Sequence, residues 1–384
     1  MELAGEGKVT SAPLPVFICG PLMHEPLLNN VLGRTVDPAH IYGAVLSGYA
    51  LEGIKGQPLV AMHAHAGDQV GGKILTDVSA PDLKRLTFYL GSLGFDPESE
   101  RVARDDGTLL SAIVFQPRNE MQGDGLVWAR QEWQALWGDI AQAAAKEIMA
   151  QMGQLTPDEI AARLTGIHIR AAAFVAAQAR SVGATRDLTR DVVVQAHHHK
   201  YSNFFAAQEL DLQYRRYDGR LSPVMNRGAQ MLGQASVVLP YDPVRDEVLM
   251  VEQFRAPLYI GGDREPWLWQ PVAGLVDPGE TPRQAAHREA IEEAGLTLNA
   301  LHEVAGVYSS PGASSDFVNL FVGLADFGTR QKGGGLEQEG EDIKVGIVSF
   351  EVLMLGIDRG RYRDMQLVLS GLWLARNHDR LRLG

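Results

Sequence analysis

This chain is short of three things. It has one cysteine, Cys19, in 384 residues, so no disulfide can form within it and nothing points to an oxidising compartment. It has no run approaching the roughly 18 apolar residues that a membrane-spanning helix needs. It is also short of basic charge: 35 Lys and Arg stand against 47 Asp and Glu, a formal charge of −12. Nucleic acids and anionic membrane surfaces attract a net basic face, so neither is expected as a partner. The first 15 residues hold no basic stretch followed by an apolar core, so no secretory leader is expected and a cytoplasmic location is. With 45 % hydrophobic and 21 % charged residues, the composition is that of a folded soluble chain rather than a disordered one. The length is about twice that of one compact domain.

Four textures follow one another. Residues 1–13 form a polar tail. In 14–125, short apolar runs broken by glycine (16–19, 41–46, 73–75, 109–115) predict short strands and turns. In 126–190 the pattern turns helical. Trp133, Trp137, Ile140, Ala144 and Ile148 make one apolar stripe expected to face a core, and Thr156-Pro157-Asp158-Glu159 has the order of a capping box. Further helices are expected over 160–164 and 169–180, and the stretch reads as a helical connector. Residues 191–384 are mixed α/β, with strands expected at 210–217, 233–239 and 247–254. His197-His198-His199 reads as a loop, because three consecutive side chains of a strand or helix point in different directions and cannot share an ion.

The chemistry concentrates in residues 274–296, GLVDPGETPRQAAHREAIEEAGL. Thr281-Pro282-Arg283-Gln284 predicts a capped helix start and Gly295 a stop, giving a helix over 282–294. On it Glu289, Glu292 and Glu293 stand at i, i+3 and i+4 and share one face, where like charges repel by a few tenths of a kcal/mol per pair. Arg288 can pair with Glu292, and the remaining cluster of hard oxygens suits Mg²⁺ or Mn²⁺. Taken alone, the E-x-x-E-E pattern is better read as a solvated acidic face.

The order Gly274, Glu280, Arg288-Glu289, Glu292-Glu293, Gly295 resembles the Nudix box, with Ala290 where a large aliphatic residue is usual. Residues 201–383 resemble the ADP-ribose diphosphatases of that superfamily, through PYDPVRDEVLMVEQFR (240–255), Val272-Ala273-Gly274, REAIEEAGL (288–296), Pro311 and EGEDIKV (339–345). The resemblance implies an α/β/α sandwich and Mg²⁺-dependent hydrolysis of ADP-ribose to AMP and ribose 5-phosphate, with Mn²⁺ as a substitute ion. Another nucleoside-diphosphate sugar such as GDP-mannose is the alternative substrate, and a non-catalytic nucleotide-sugar sensor is the non-enzyme alternative.

It also implies roles. Glu289 and Glu293 would be the main metal carboxylates, joined by Glu292, Glu341 and the carbonyl of Ala273. Glu280 would brace Arg288, Glu339 would act as base on water, and Arg255 would clamp a phosphate. Phe204 would stack on adenine with Arg227 beside it, across a homodimer formed through the Nudix domain; core packing is the other reading of Phe204, and a surface position that of Arg255. Asp316 is shorter than the glutamate often found at its position.

Residues 16–117 resemble the gamma-glutamylcyclotransferase-like fold, a small α+β barrel, through FICGPLM (17–23), GDQVGG (67–72) and Asp106-Gly107. The position corresponding to that family's catalytic glutamate, after Leu86-Thr87-Phe88-Tyr89, is Leu90. A leucine moves no proton. The resemblance thus implies a barrel without the cyclotransferase reaction, whose cavity is left for a small ligand or a partner.

Overall fold

The glycine-punctuated runs become five strands: β1 (Val16–Cys19), β2 (Ile41–Gly53), β3 (Val60–Leu75), β4 (Phe95–Arg104) and β5 (Leu109–Pro117). They close into a barrel in the order β1-β3-β2-β4-β5, with β1 pairing parallel to β5. Closure gives every strand of the barrel a neighbour on both sides, although β1 meets β5, and β2 meets β4, at only two positions each. β2 and β3 pair along their whole length, and the register shifts between Ser47 and Tyr49, where Gly48 takes the left-handed φ of 83° that a side chain would resist. The computed structural model describes residues 15–180, 186–331, 334–335 and 342–383. Two compact units emerge, 1–183 with 202–204 and 184–201 with 205–384.

Five helices complete the first unit: α1 (Glu25–Leu32), α2 (Ala80–Ser92), α3 (Arg130–Ala150), α4 (Pro157–Ala161) and α5 (Leu164–Ala179). The capping box at α4 forms as expected, with Thr156 N–H donating to the Glu159 carboxylate at 2.8 Å and Glu159 N–H to the Thr156 hydroxyl at 3.3 Å. The α3 stripe faces a core, as its spacing predicts. Trp133, Trp137, Ile140, Ala144 and Ile148 share one core with Val16, Ile74, Leu86 and Val114 of the barrel unit, and the Trp133 indole N–H donates to the Pro58 carbonyl at 2.9 Å. An apolar stripe this long loses too much by facing water. Inside the same core Arg170 of α5 grips Glu147 of α3 at 2.6 Å, both buried.

In the second unit, α6 (Leu188–Asp191) leads into a three-stranded sheet of β6 (Val192–Ser202), β7 (Ala206–Tyr214) and β8 (Met225–Met231). The histidine run therefore lies in a strand, not a loop. His197 and His199 fall on one face and stack at 4.4 Å, while His198 bonds Asp211 at 2.9 Å. Strand pairing, which residue type alone does not reveal, decides this.

The main sheet has seven strands: β9 (Gln234–Asp242), β10 (Glu247–Phe254), β11 (Trp267–Gln270), β12 (Val272–Leu275), β13 (Ala300–Tyr308), β14 (Phe317–Leu324) and β15 (Lys344–Ser349). Its backbone order is β11-β10-β9-β14-β13, with β12 on β9 and β15 on β10; β9 and β14 run parallel. The helices are α7 (Ala256–Ile260), α8 (Pro282–Glu292), α9 (Phe350–Asp358) and α10 (Met365–Leu383). Strand alternation divides the core in two. Val238, Leu249, Val251 and Phe321 pack with Ala286, Ala290 and Ala294 at α8, and Leu239, Tyr241, Val248, Met250 and Val322 pack with Leu353, Leu367 and Leu374 of α9 and α10. Helices thus cover both faces of a mixed sheet. Among the described residues no helix is long and apolar enough to cross a membrane.

One carboxylate gives the first unit an acid-sensitive tie. Asp82, in the first turn of α2, accepts from Arg34 at 2.7 Å and from Ser79 at 2.7 Å; chiefly the Arg34 bond, against the opposing effect of burial, holds its pKa down to about 2. The folded pKa lies below the unfolded one, so this stabilisation is present above about pH 4 and lost as pH falls toward 2. An Asp82→Asn variant should be less stable than wild type by roughly 2 kcal/mol at pH 7 and approach it near pH 2–3. Urea midpoints across that range test this; parallel pH curves would remove the tie.

Candidate active site

β12 runs antiparallel to β9, with Ala273 opposite Val237 and Gly274 opposite Ser236. The chain then turns into α8 at the expected box: Thr281 accepts from Gln284 N–H at 3.3 Å, and the Gln284 side chain accepts from Thr281 N–H at 2.8 Å. The Ser236 hydroxyl donates to the Pro282 carbonyl at 2.7 Å, tying the helix start to β9. The helix ends at Glu292, two residues before the expected 294, and Gly295 takes φ 65° as the stop.

Small residues let α8 lie close to the sheet. Ala285, Ala286 and Ala290 are fully buried, so the position where a larger aliphatic is usual faces the core. Gly274 is stricter. A Cβ there would lie 1.8 Å from Glu289 Oε1, so only glycine lets the helix carboxylate rest against the strand.

Arg288 is the hub of the corner. Its Nε and Nη2 donate to Glu280 at 3.2 and 3.0 Å, its Nη1 to Glu289 at 2.5 Å and Glu292 at 3.1 Å, and its Nη2 also to the Leu275 carbonyl at 3.0 Å. Burial draws the guanidinium pKa down, but Glu280 and Glu289 outweigh it and hold the group above its ordinary value. Burial also raises the Asp277 carboxyl, against the pull of Arg288 at 4.0 Å. Glu293, 1 % exposed, accepts from the Ala273 N–H at 3.1 Å. Glu289, Glu292, Glu293 and Ala273 are thereby gathered at one junction of strand and helix.

The other expected residues fare differently. Arg255 follows β10 and donates to Gln270 Oε1 at 3.0 Å; its charge also acts on Asp364, whose carboxyl is nonetheless raised by burial. Phe204, in the turn between β6 and β7, is 72 % exposed, which rules out core packing. Arg227, exposed on β8, keeps its hydrogen bonds local, on the Asn226 carbonyl and Met225 sulfur. Asp316 closes its turn by accepting from Ser309 at 2.6 Å. Glu339 and Glu341 lie outside the described residues.

Sequence reasoning missed a recess of about 380 Å³ lined by Glu252, Trp267, Trp269, Arg264, Arg361 and Arg363. Beside it Lys344 of β15 pairs with Glu252 of β10 at 3.1 Å and lies 5.2 Å from the Trp269 ring. Strand alternation is the only sequence signal for such a grouping, and it needs the register to be known.

Among the described residues no three His, Cys, Asp or Glu side chains form a ready-made metal cluster. The donor chemistry nevertheless fits a hard divalent cation. The carboxylates of Glu280, Glu289 and Glu292 meet a single guanidinium, Glu293 lies buried against the Ala273 N–H, and every donor is oxygen.

The NUDIX domain family matches residues 231–365. ADP-ribose pyrophosphatase of Escherichia coli (strain K12) is 36 % identical over 192 residues, 50 % of this chain and 91 % of that protein. ADP-ribose pyrophosphatase of Haemophilus influenzae is 33 % identical over 195 residues, 50 % of this chain and 90 % of that protein. GDP-mannose pyrophosphatase of Cronobacter sakazakii is 31 % identical over 168 residues, 44 % and 86 % respectively.

Gly274→Ala should displace the Glu289 carboxylate from Arg288 and lower stability by about 1–3 kcal/mol. Gly312→Ala, where a Cβ meets nothing within 4 Å, should cost much less. Denaturant midpoints of the two variants decide, and equal losses would refute the close approach.

Proposed function

The chain belongs to the NUDIX family, and from that membership we propose that it hydrolyses ADP-ribose, a nucleoside-diphosphate sugar, to AMP and ribose 5-phosphate. The observation that carries this reading is the corner built on Arg288, with Glu280, Glu289 and Glu292 bound to one guanidinium and Glu293 held by Ala273. A chain that is 36 % identical to an ADP-ribose pyrophosphatase over half its length supports the substrate.

In this proposal Arg288 fixes the directions of Glu289 and Glu292, and Glu280 braces the arginine from the other side. Glu289, Glu292, Glu293, the Ala273 carbonyl and Glu341 would hold Mg²⁺, or Mn²⁺ in its place. Such ions, when bound, neutralise the diphosphate charge and lower the pKa of the attacking water. Glu339 takes the proton as the water oxygen bonds to phosphorus and the bond to the bridging oxygen breaks. Arg255, whose guanidinium is oriented by Gln270, binds a phosphate oxygen through its planar fork. Phe204, exposed and therefore free to receive a base, stacks on adenine with Arg227 beside it, each acting across a homodimer formed through the second unit.

A second reading, hydrolysis of GDP-mannose, is favoured by the 31 % identity to a GDP-mannose pyrophosphatase. For the first unit we propose a gamma-glutamylcyclotransferase-like barrel with its helices, lacking that family's reaction because Leu90 takes the place of the acid. We place the enzyme in the cytoplasm, in keeping with its lone cysteine and net acidic charge.

Glu289→Gln should reduce turnover by at least roughly a hundredfold with the fold intact, the loss expected of a principal electrostatic group. Hydrolysis of ADP-ribose, GDP-mannose and other nucleoside-diphosphate sugars with Mg²⁺ or Mn²⁺, products read by mass, measures this. Wild-type rates in the variant would remove Glu289 from the machinery, and tight binding without cleavage of any compound would make the protein a sensor. Phe204→Ala should raise KM for ADP-ribose more than it lowers kcat; an unchanged KM would mean the ring does not touch the base.

A further inference from the structure

The turn that carries Phe204 has an anchorage that the carboxylate corner does not explain. Residues 202–204 end β6 and open the turn to β7, yet they group with the first unit, whereas the strands on either side group with the second. The reason is Arg170 of α5. Its Nη1 donates to the Asn203 carbonyl at 2.9 Å and to the Phe204 carbonyl at 3.0 Å. Its Nη2 donates to the Ser202 hydroxyl at 3.1 Å, and that hydroxyl donates to Glu147 of α3 at 2.8 Å. Nε and Nη2 complete the pair with Glu147, at 3.2 and 2.6 Å. A guanidinium has five N–H donors, and this arrangement uses all of them.

Three features tie the pair to the turn. Arg170, Glu147 and Ser202 are 6 %, 8 % and 7 % exposed. Burying two charges is costly, and apolar residues of like size stabilise a core as well or better. What apolar residues cannot do is take up a hydroxyl and two carbonyls. The carbonyls, moreover, belong to the peptide planes on either side of the Phe204 Cα. Holding both fixes the φ and ψ of that residue, and with them the direction in which its ring leaves the backbone. The exposed ring gets little such direction from packing. Finally, α5 is cut away where the turn meets it. A Cβ at Gly166 would lie 3.0 Å from the Asn203 carbonyl oxygen and 3.1 Å from Arg170 Nη1. Glycine within a helix costs stability relative to alanine, and here it makes room for the bonded carbonyl.

We propose that the Arg170–Glu147 pair is a positioning device for base recognition: it holds Phe204 in the orientation that stacks on the adenine of a nucleoside-diphosphate sugar. This rests on the reading of Phe204 given above. Arg170 and Glu147 are positioning residues that act through the turn, and the link to the second unit is the chain itself, from Ser202 into β6 and from Ala206 into β7. The first unit thereby has a part in the reaction that needs no chemistry of its own.

Steady-state hydrolysis of ADP-ribose by the full chain with Mg²⁺ tests this. Arg170→Lys keeps a positive charge beside Glu147 but replaces the fork with a compact ammonium, which cannot serve the carboxylate, the hydroxyl and both carbonyls. It should raise KM at least roughly fivefold, the low end of what losing one base–aromatic stack costs, and leave kcat within about twofold. Gly166→Ala leaves the pair in place, crowds the Asn203 carbonyl, and should raise KM by roughly twofold or more. Should Arg170→Lys not fold, Gly166→Ala decides. Asp82→Asn weakens the first unit at a different place and should leave both constants unchanged. In a Phe204→Ala background, Arg170→Lys should add less than about twofold to KM, because the ring it positions is gone. If Phe204→Ala raises KM while neither Arg170→Lys nor Gly166→Ala does, the positioning role is overturned and the stacking reading stands. An unchanged KM in Phe204→Ala removes the stacking reading and the proposal with it. The proposal also fails if Asp82→Asn raises KM as much as Arg170→Lys does, or if the effect of Arg170→Lys is undiminished without the ring; either result means general loosening of the fold.

Discussion

One guanidinium holds the second unit's site together. Three glutamates on adjoining turns of a short helix repel one another, and a buried cluster of that kind is unstable without a cation at its centre. Arg288 supplies it from the same helix, reaching Glu289 and Glu292 with one nitrogen and Glu280 with the other two. Arginine suits this better than lysine because its planar fork presents several donors at once in fixed directions. The same side chain also takes the Leu275 carbonyl, so the strand end, the turn and the helix are fixed by one residue.

The corner depends in turn on how close α8 approaches the sheet. Gly274 and the buried alanines of α8 allow a distance that larger residues would forbid, and Glu289 fills the space a Cβ at 274 would need. Packing and chemistry are therefore coupled at this site. The missing side chain at 274 is what brings the acid to the strand.

The first unit solves a different problem. A barrel alone leaves helix stripes to cover, and α3 and α5 supply a shared core in which Arg170 and Glu147 are paired at 2.6 Å. Among the described residues of this unit, the buried charges Asp82, Glu147 and Arg170 all have partners.

Local signals were sufficient wherever the chain acts on its near neighbours. Thr156-Pro157 and Thr281-Pro282 announce their helix starts, Gly295 its stop, the strand at 247–254 its exact span, and the spacing of Glu289, Glu292 and Glu293 their common face, because capping and helical periodicity are set within four residues. What depends on distant partners was decided only in three dimensions. Residues of α3, α4 and α5 joined the barrel's core, the histidine run became a strand, and Phe204 proved exposed. Gly274 acquired its reason only when Glu289 stood against it, and Lys344 met Glu252 and Trp269 only through strand register. Register and close approach follow from where the whole sheet settles, and no stretch of sequence contains that by itself.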